Sequence, residues 1–153
     1  MPKFEEHKKL PYSAEQVFNL VADVEAYPEF LPWCSGLAVK GRTASGGEEL
    51  LIAEMTISFK IYRESFLSRV NLSRDRRTIA VEYLDGPFKF MNCRWEFSDL
   101  QNGCDVFFSA EFEFRSKVLS SLIGTLFTQA VQRIVRAFEE RARFVYGKPK
   151  LKQ

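Results

Sequence analysis

An α+β fold, a curved antiparallel sheet of six or seven strands closed over a long C-terminal helix, is what the sequence predicts from three observations. Turn-forming residues recur at Ser45-Gly46-Gly47, Arg74-Asp75-Arg76, Asp85-Gly86-Pro87 and Asn102-Gly103, cutting the middle of the chain into strand-length pieces suited to hairpins. Val106, Phe108, Ala110, Phe112 and Phe114 share one parity while Asp105, Ser109, Glu111 and Glu113 share the other, the pattern of a strand with one dry face. From Lys117 to Tyr146 only Gly124 interrupts a helical stripe of Leu119, Leu122, Ile123, Leu126, Phe127, Ala130, Ile134, Phe138, Ala142 and Val145. A single helix of about 30 residues would run about 45 Å. Its stripe cannot face water, and the apolar face of the sheet is the partner of matching size.

The remaining elements follow along the chain. Lys3 to Leu10 alternates Phe4 and Leu10 against Lys3, Glu5, His7 and Lys9, which predicts a short first strand. Ser13-Ala14-Glu15-Gln16 matches a capping box, and Val17, Leu20, Val21 and Val24 follow at helical spacing, so a helix of about ten residues starts here. Tyr27-Pro28-Glu29-Phe30-Leu31-Pro32-Trp33-Cys34 then interleaves three aromatic rings with two prolines, and each Pro disfavours helix at the residue before it. That segment reads as an apolar wedge or lid. Ile79, Val81 and Tyr83 alternate, Trp95 and Phe97 extend the pattern, and Phe88-Lys89-Phe90-Met91 breaks parity in the manner of a bulge.

Composition narrows the function classes. The chain has 153 residues, 46% hydrophobic with 15 Phe, enough for one domain with a large core or an apolar cavity. The N-terminus mixes charges and lacks a signal-like apolar region, and no run approaches ~18 apolar residues, so a cytoplasmic protein is expected. Cys34, Cys93 and Cys104 lack C-x-x-C spacing and His7 is the single His, so they read as reduced packing residues rather than disulfide or zinc ligands. There is no G-x-S-x-G motif, P-loop or metal-ligand cluster, so no catalytic residue and no metal are expected, and the chain reads as a non-enzyme.

Several residues invite a role while admitting a plain packing one. Tyr83, Trp95, Phe108, Phe112 and Phe114, facing Leu122, Ile123, Leu126 and Phe127, form either ordinary core or the wall of a lipid cavity. Phe66 and Val70 set the apolar parity of their strand, which places Tyr62 and Glu64 inward, with Glu64 either reaching solvent or Arg94, or holding a polar group. Tyr27, Phe30 and Trp33 either plug one end of the core or act as a lid at a bilayer surface. Arg133, Arg136, Arg141, Arg143, Lys148, Lys150 and Lys152 outnumber Glu139 and Glu140, and Lys60, Arg63, Arg69, Arg74, Arg76 and Arg77 form a second basic group, although net charge is only +2. Such patches are solvated faces, or they meet anionic lipid or RNA phosphates, with no DNA partner indicated.

From Lys3 to Gly147 the chain resembles the coenzyme Q-binding START-like family and its bacterial ribosome-association toxin branch. The carriers are Leu10-Pro11-Tyr12-Ser13, Asp23-Val24 with Tyr27 to Cys34, Asp85-Gly86-Pro87-Phe88-Lys89, and Phe112-Glu113-Phe114-Arg115-Ser116. The resemblance implies a helix-grip fold (START-like, Bet v 1-like) with short N-terminal helices, spanning residues 1–147 as one lipid-binding domain ahead of a flexible basic tail, 148–153. It also implies that the inward aromatic set, with Phe66, lines a cavity for an isoprenoid quinone, ubiquinone in the leading reading. Tyr62 and Glu64 would then hydrogen-bond the quinone head and Trp33 would mark the lid. No cofactor beyond that bound lipid is implied. The expected role is a carrier or chaperone that touches the inner membrane surface transiently and serves respiratory complexes. The alternative is a ribosome-association toxin-like protein that binds the large ribosomal subunit and blocks subunit association. A polyketide cyclase-like enzyme is the third reading, for which Tyr62 and Glu64 alone are thin chemistry.

Overall fold

The computed structural model describes residues 3–59, 62–124 and 127–147. Among them are seven strands, β1 (Lys3–Leu10), β2 (Cys34–Ser45), β3 (Glu48–Phe59), β4 (Tyr62–Ser73), β5 (Thr78–Asp85), β6 (Phe88–Leu100) and β7 (Gly103–Phe114). They form one antiparallel sheet in the order β1-β7-β6-β5-β4-β3-β2, so β2 to β7 run as successive hairpins and β1 crosses over to the outer side of β7. That crossing from β1 to β2 carries α1 (Ala14–Ala22) and a 3₁₀ helix (Val24–Glu29). The chain then continues past β7 into α2 (Lys117–Gly124) and α3 (Phe127–Tyr146).

The four turn clusters fall between strands as the sequence predicts. A fifth hairpin joins β3 to β4, with Phe59 paired to Tyr62; residues 60 and 61 are outside the described residues and carry no Gly, Pro, Asn or Asp. The parity break at Phe88 to Met91 is a bulge: Phe88 pairs with Phe114 and Phe90 with Glu113, leaving Lys89 as the extra residue. Further register shifts at Cys34/Gly36, Val39/Gly41 and Leu67/Ser68 bend the sheet, as bulges do.

α1 begins as read: Ser13 Oγ accepts from the Gln16 N–H, and the Gln16 side chain accepts from the Ser13 N–H, both at 3.0 Å. Asp99, on β6, adds an acceptor for the Ala14 N–H at 3.0 Å, which ties the helix start to the sheet. The buried face of α1, Val17, Phe18, Leu20 and Val21, packs into a core shared with Leu51, Val70, Leu72, Ile79, Trp95, Phe97, Val106 and Phe108. Cys34 and Cys104 are buried, and all three cysteines are free thiols.

The C-terminal helix corrects one expectation and leaves another outside the described residues. The structure describes helix over Lys117–Gly124 and Phe127–Tyr146, and the single-helix expectation turns on residues 125 and 126, outside the described residues. The buried line of α3 is Val131, Val135, Phe138 and Ala142, whereas Ala130 and Ile134 are half-buried and Val145 is exposed. Apolar doublets at Ala130-Val131 and Ile134-Val135 support either phase. The observed one buries Val131 and Val135 beside Phe138 and Ala142, which both phases share, and lets Tyr146 donate to the Gln16 carbonyl on α1 at 2.8 Å, while Phe138 meets Trp95 (ring centroids 5.0 Å). Residues 148–153, the expected basic tail, are outside the described residues.

Candidate functional site

The inward aromatics divide into two clusters along the sheet. At the α1 end, Trp95 and Phe108 (4.4 Å between centroids) meet Phe138, and Phe138 also meets Tyr27 (5.4 Å) and Phe30 (5.3 Å). Trp95, Phe108 and Tyr27 are buried, so at this end the predicted wall residues are closed core. Tyr27 is the plug of that core: its hydroxyl donates to the Val21 carbonyl, and burial raises its phenol far above the usual range.

At the α2 end a second cluster gathers around Phe88, whose ring lies 5.3 Å from Phe66, 5.5 Å from Tyr83, 5.7 Å from Phe112 and 4.7 Å from Phe114. Phe66, Phe88 and Met91 are buried, while Tyr83, Phe112, Phe114, Met55 and Ile57 are half-buried around them. Phe88 is absent from the predicted site set, although its place at the parity break signalled it. The bulge turns it inward, and the Tyr83 hydroxyl accepts from its N–H at 3.2 Å. Gly86 holds the turn at φ +145°, and a Cβ there would lie 2.6 Å from Phe66 Cβ. Arg115 closes the same end: its N–H donates to the Pro87 carbonyl at 2.9 Å and its Nε to the Phe88 carbonyl at 3.0 Å. α2 therefore starts above an aromatic floor. The side chains of Leu122, Ile123, Leu126 and Phe127, predicted to cover it, are outside the described residues.

Of the predicted polar pair, only the Glu64 side chain is described. Glu64 is exposed despite sharing parity with buried Phe66, Ser68 and Val70, so its carboxylate reaches solvent. Arg94 is not drawn to it, donating instead through Nε to Glu96 at 2.7 Å. Tyr62 opens β4 opposite Phe59, and its side chain is outside the described residues. Trp33 is half-buried at the neighbouring corner, 6.0 Å from Phe59, with the Arg133 guanidinium 5.3 Å from its ring centroid. Its φ of 67° is unusual for a bulky residue, and its carbonyl accepts from the Ser58 N–H at 2.8 Å, which holds it there. A polar cleft of about 490 Å³ lies by Asp23, Glu25, Arg42 and Arg74; none of the predicted ligand-binding residues lines it.

Charge is arranged unevenly. Most cations on the strands and their turns are matched in place: Lys40 with Glu54, Arg42 with Glu25 and Glu49, Arg69 with Glu82, Arg77 with Asp99, Lys89 with Glu113 and Arg94 with Glu96. The second basic group predicted from sequence is thereby partly neutralised, with Arg74 bonded to Asn19 and Lys60 outside the described residues. On α3, by contrast, Arg133, Arg136 and Arg143 are exposed, and no ion pair reaches them among the described residues. His7, on the outer face of edge strand β1, bonds Asp105 through Nδ1 at 2.9 Å.

A curved seven-stranded antiparallel sheet, a C-terminal helix against its concave face and an aromatic floor at one end define a helix-grip protein of the START-like class. A solution structure of an 18 kDa protein from Caulobacter crescentus matches with a TM-score of 0.81 at 35% identity, over 97% of this chain and 100% of its own. The chain belongs to the polyketide cyclase/dehydrase and lipid transport family, whose model matches residues 10–139. Among curated relatives, the Rickettsia prowazekii protein named ribosome association toxin RatA is 34% identical, over 95% of this chain and 99% of its own. A Xenopus laevis protein named coenzyme Q-binding protein COQ10 homolog B, mitochondrial, is 31% identical, over 95% of this chain and 60% of its own. No described helix is long and apolar enough to cross a membrane.

Proposed function

We propose that this chain acts at the ribosome, engaging the large subunit and opposing its association with the small one. The observation that carries this reading is the match to ribosome association toxin relatives along nearly their whole length, at higher identity than the coenzyme Q-binding relative. The runner-up reading from sequence thus moves ahead of quinone carriage. The uneven charge supports it, since unmatched arginines on one helix face suit phosphate-rich RNA better than the paired cations of the strands. Light scattering from purified large and small subunits tests it: added protein should lower the associated fraction in proportion to dose. Unchanged association at excess protein would sink the reading.

A second reading has its own support. The half-buried ring set of Tyr83, Phe112 and Phe114 around Phe88 suits an apolar ligand such as an isoprenoid quinone. Burying one CH₂ is worth ~0.8 kcal/mol against water but close to nothing against a bilayer, so exchange with a membrane surface would be near balance, as delivery to respiratory enzymes requires. Organic extraction and mass spectrometry of the purified protein decide this reading, and absence of quinone or other lipid would reject it. In both readings the chain is a binder. His7 sits on the outer face, remote in parity from the aromatic floor, and is assigned no catalytic role.

A further inference from the structure

Arg136, Arg143 and Phe144 stand together on the outer face of α3, and what surrounds them is unusual for a solvated helix. With Arg133 and Glu140 they fall within about 120° of the helix circumference at roughly 100° per residue, and Arg133 and Arg143 stand about 15 Å apart along the axis. Phe144 is 78% exposed, far more than a core aromatic. It is also held in place: the Arg141 guanidinium lies 5.1 Å from its ring centroid and 5.1 Å from that of Phe30, and bonds Glu29 at 3.0 Å. Arg141 is thus pinned between two rings and a carboxylate, covering one side of Phe144 while most of that residue stays open to solvent.

We infer that this face is an RNA contact surface, with Arg136 and Arg143 on backbone phosphates and the open side of Phe144 stacked on an unpaired base. The inference rests on the ribosomal reading and names the surface that reading would use. Arginine carries this face, and its planar fork matches phosphate geometry. Exposed aromatic rings backed by guanidinium groups are a recurring means of capturing splayed bases. A lipid surface fits less well. An interfacial helix turns a continuous apolar face to the bilayer, and the apolar line of α3, Val131, Val135, Phe138 and Ala142, is turned into the core.

The experiment measures binding of the full chain to purified large ribosomal subunits over a salt series, in parallel with anionic phosphatidylserine vesicles. Arg136→Ala with Arg143→Ala should flatten the slope of log affinity against log salt by about 1 to 2. Phe144→Leu should weaken binding about tenfold to a hundredfold, and Phe144→Tyr should restore it, because a ring stacks and a branched alkyl group does not. All are exposed positions, so unchanged thermal melts are expected. If wild type binds subunits and these variants bind equally well, the inference fails while the ribosomal reading stands. Absence of wild-type binding to subunits overturns both. Vesicle binding that survives Phe144→Leu, with no loss on subunits, assigns the face to lipid and likewise overturns the inference.

Discussion

Tyr27 does two jobs from one buried position, packing its ring on Phe30 and Phe138 while its hydroxyl satisfies the Val21 carbonyl. Tyr27→Phe should keep the packing and lose the bond, lowering stability by about 1 kcal/mol, seen as a lower urea midpoint at unchanged slope. Its neighbour Trp33 sits differently, at the sheet corner under Arg133 with a positive φ. The 27–34 segment therefore joins a core plug to a rim residue. The thiols carry a pH prediction. Burial pushes Cys93 up to about 12 and Cys104 up to about 11, the latter helped by the Asp99 and Asp105 carboxylates. Folded values lie above the unfolded thiol value of about 8.5, so the unfolded chain loses these protons first. Their contribution to stability is whole below about pH 8.5 and drains away as pH rises toward 11 to 12. Melting temperature should fall over that window, and Cys93→Ala should reduce the pH dependence; a flat profile would contradict the burial assigned to these groups.

Hairpins and helix starts differed in how plainly the residues announced them. Four turns carry Gly, Asn or Asp, and the Ser13/Gln16 box is a local arrangement that needs no tertiary information, so both were legible. The bulge at Lys89 was legible because a two-residue period tolerates no slip. The β3–β4 turn was not, since Lys60-Ile61 holds no turn residue. The phase of α3 was not either: apolar doublets allow two stripes, and burial of Val131 and Val135 with the Tyr146 bond to α1 chooses between them. The parity break marks Phe88 as irregular, but strand parity alone cannot say that the bulge turns it inward. The turn that places it offers a test. Gly86→Ala would drive a methyl into Phe66 at a backbone angle that suits glycine, costing roughly 1 to 3 kcal/mol. The same variant should weaken the near-ultraviolet circular dichroism of the aromatic cluster, and native stability with an intact spectrum would contradict the close approach.

At the scale of the whole molecule, a net charge of +2 conceals a division between strands whose cations are mostly matched and a helix face where Arg133, Arg136 and Arg143 are not, among the described residues. The apolar interior is divided as well, into a closed core under α3 and an aromatic floor beneath α2. Sequence could give the two basic groups but not the partial neutralisation of the second, which depends on partners brought across strands, such as Arg69 with Glu82. Ribosome engagement uses the charged exterior and quinone carriage the apolar interior, so the two readings make opposite demands on one preparation. The most direct test is sedimentation of cell extract through a sucrose gradient under conditions that separate the subunits. The protein is expected to travel with the large subunit and to leave it as salt is raised. Protein that stays at the top of the gradient at every salt concentration, with quinone in its organic extract, would contradict the ribosomal assignment.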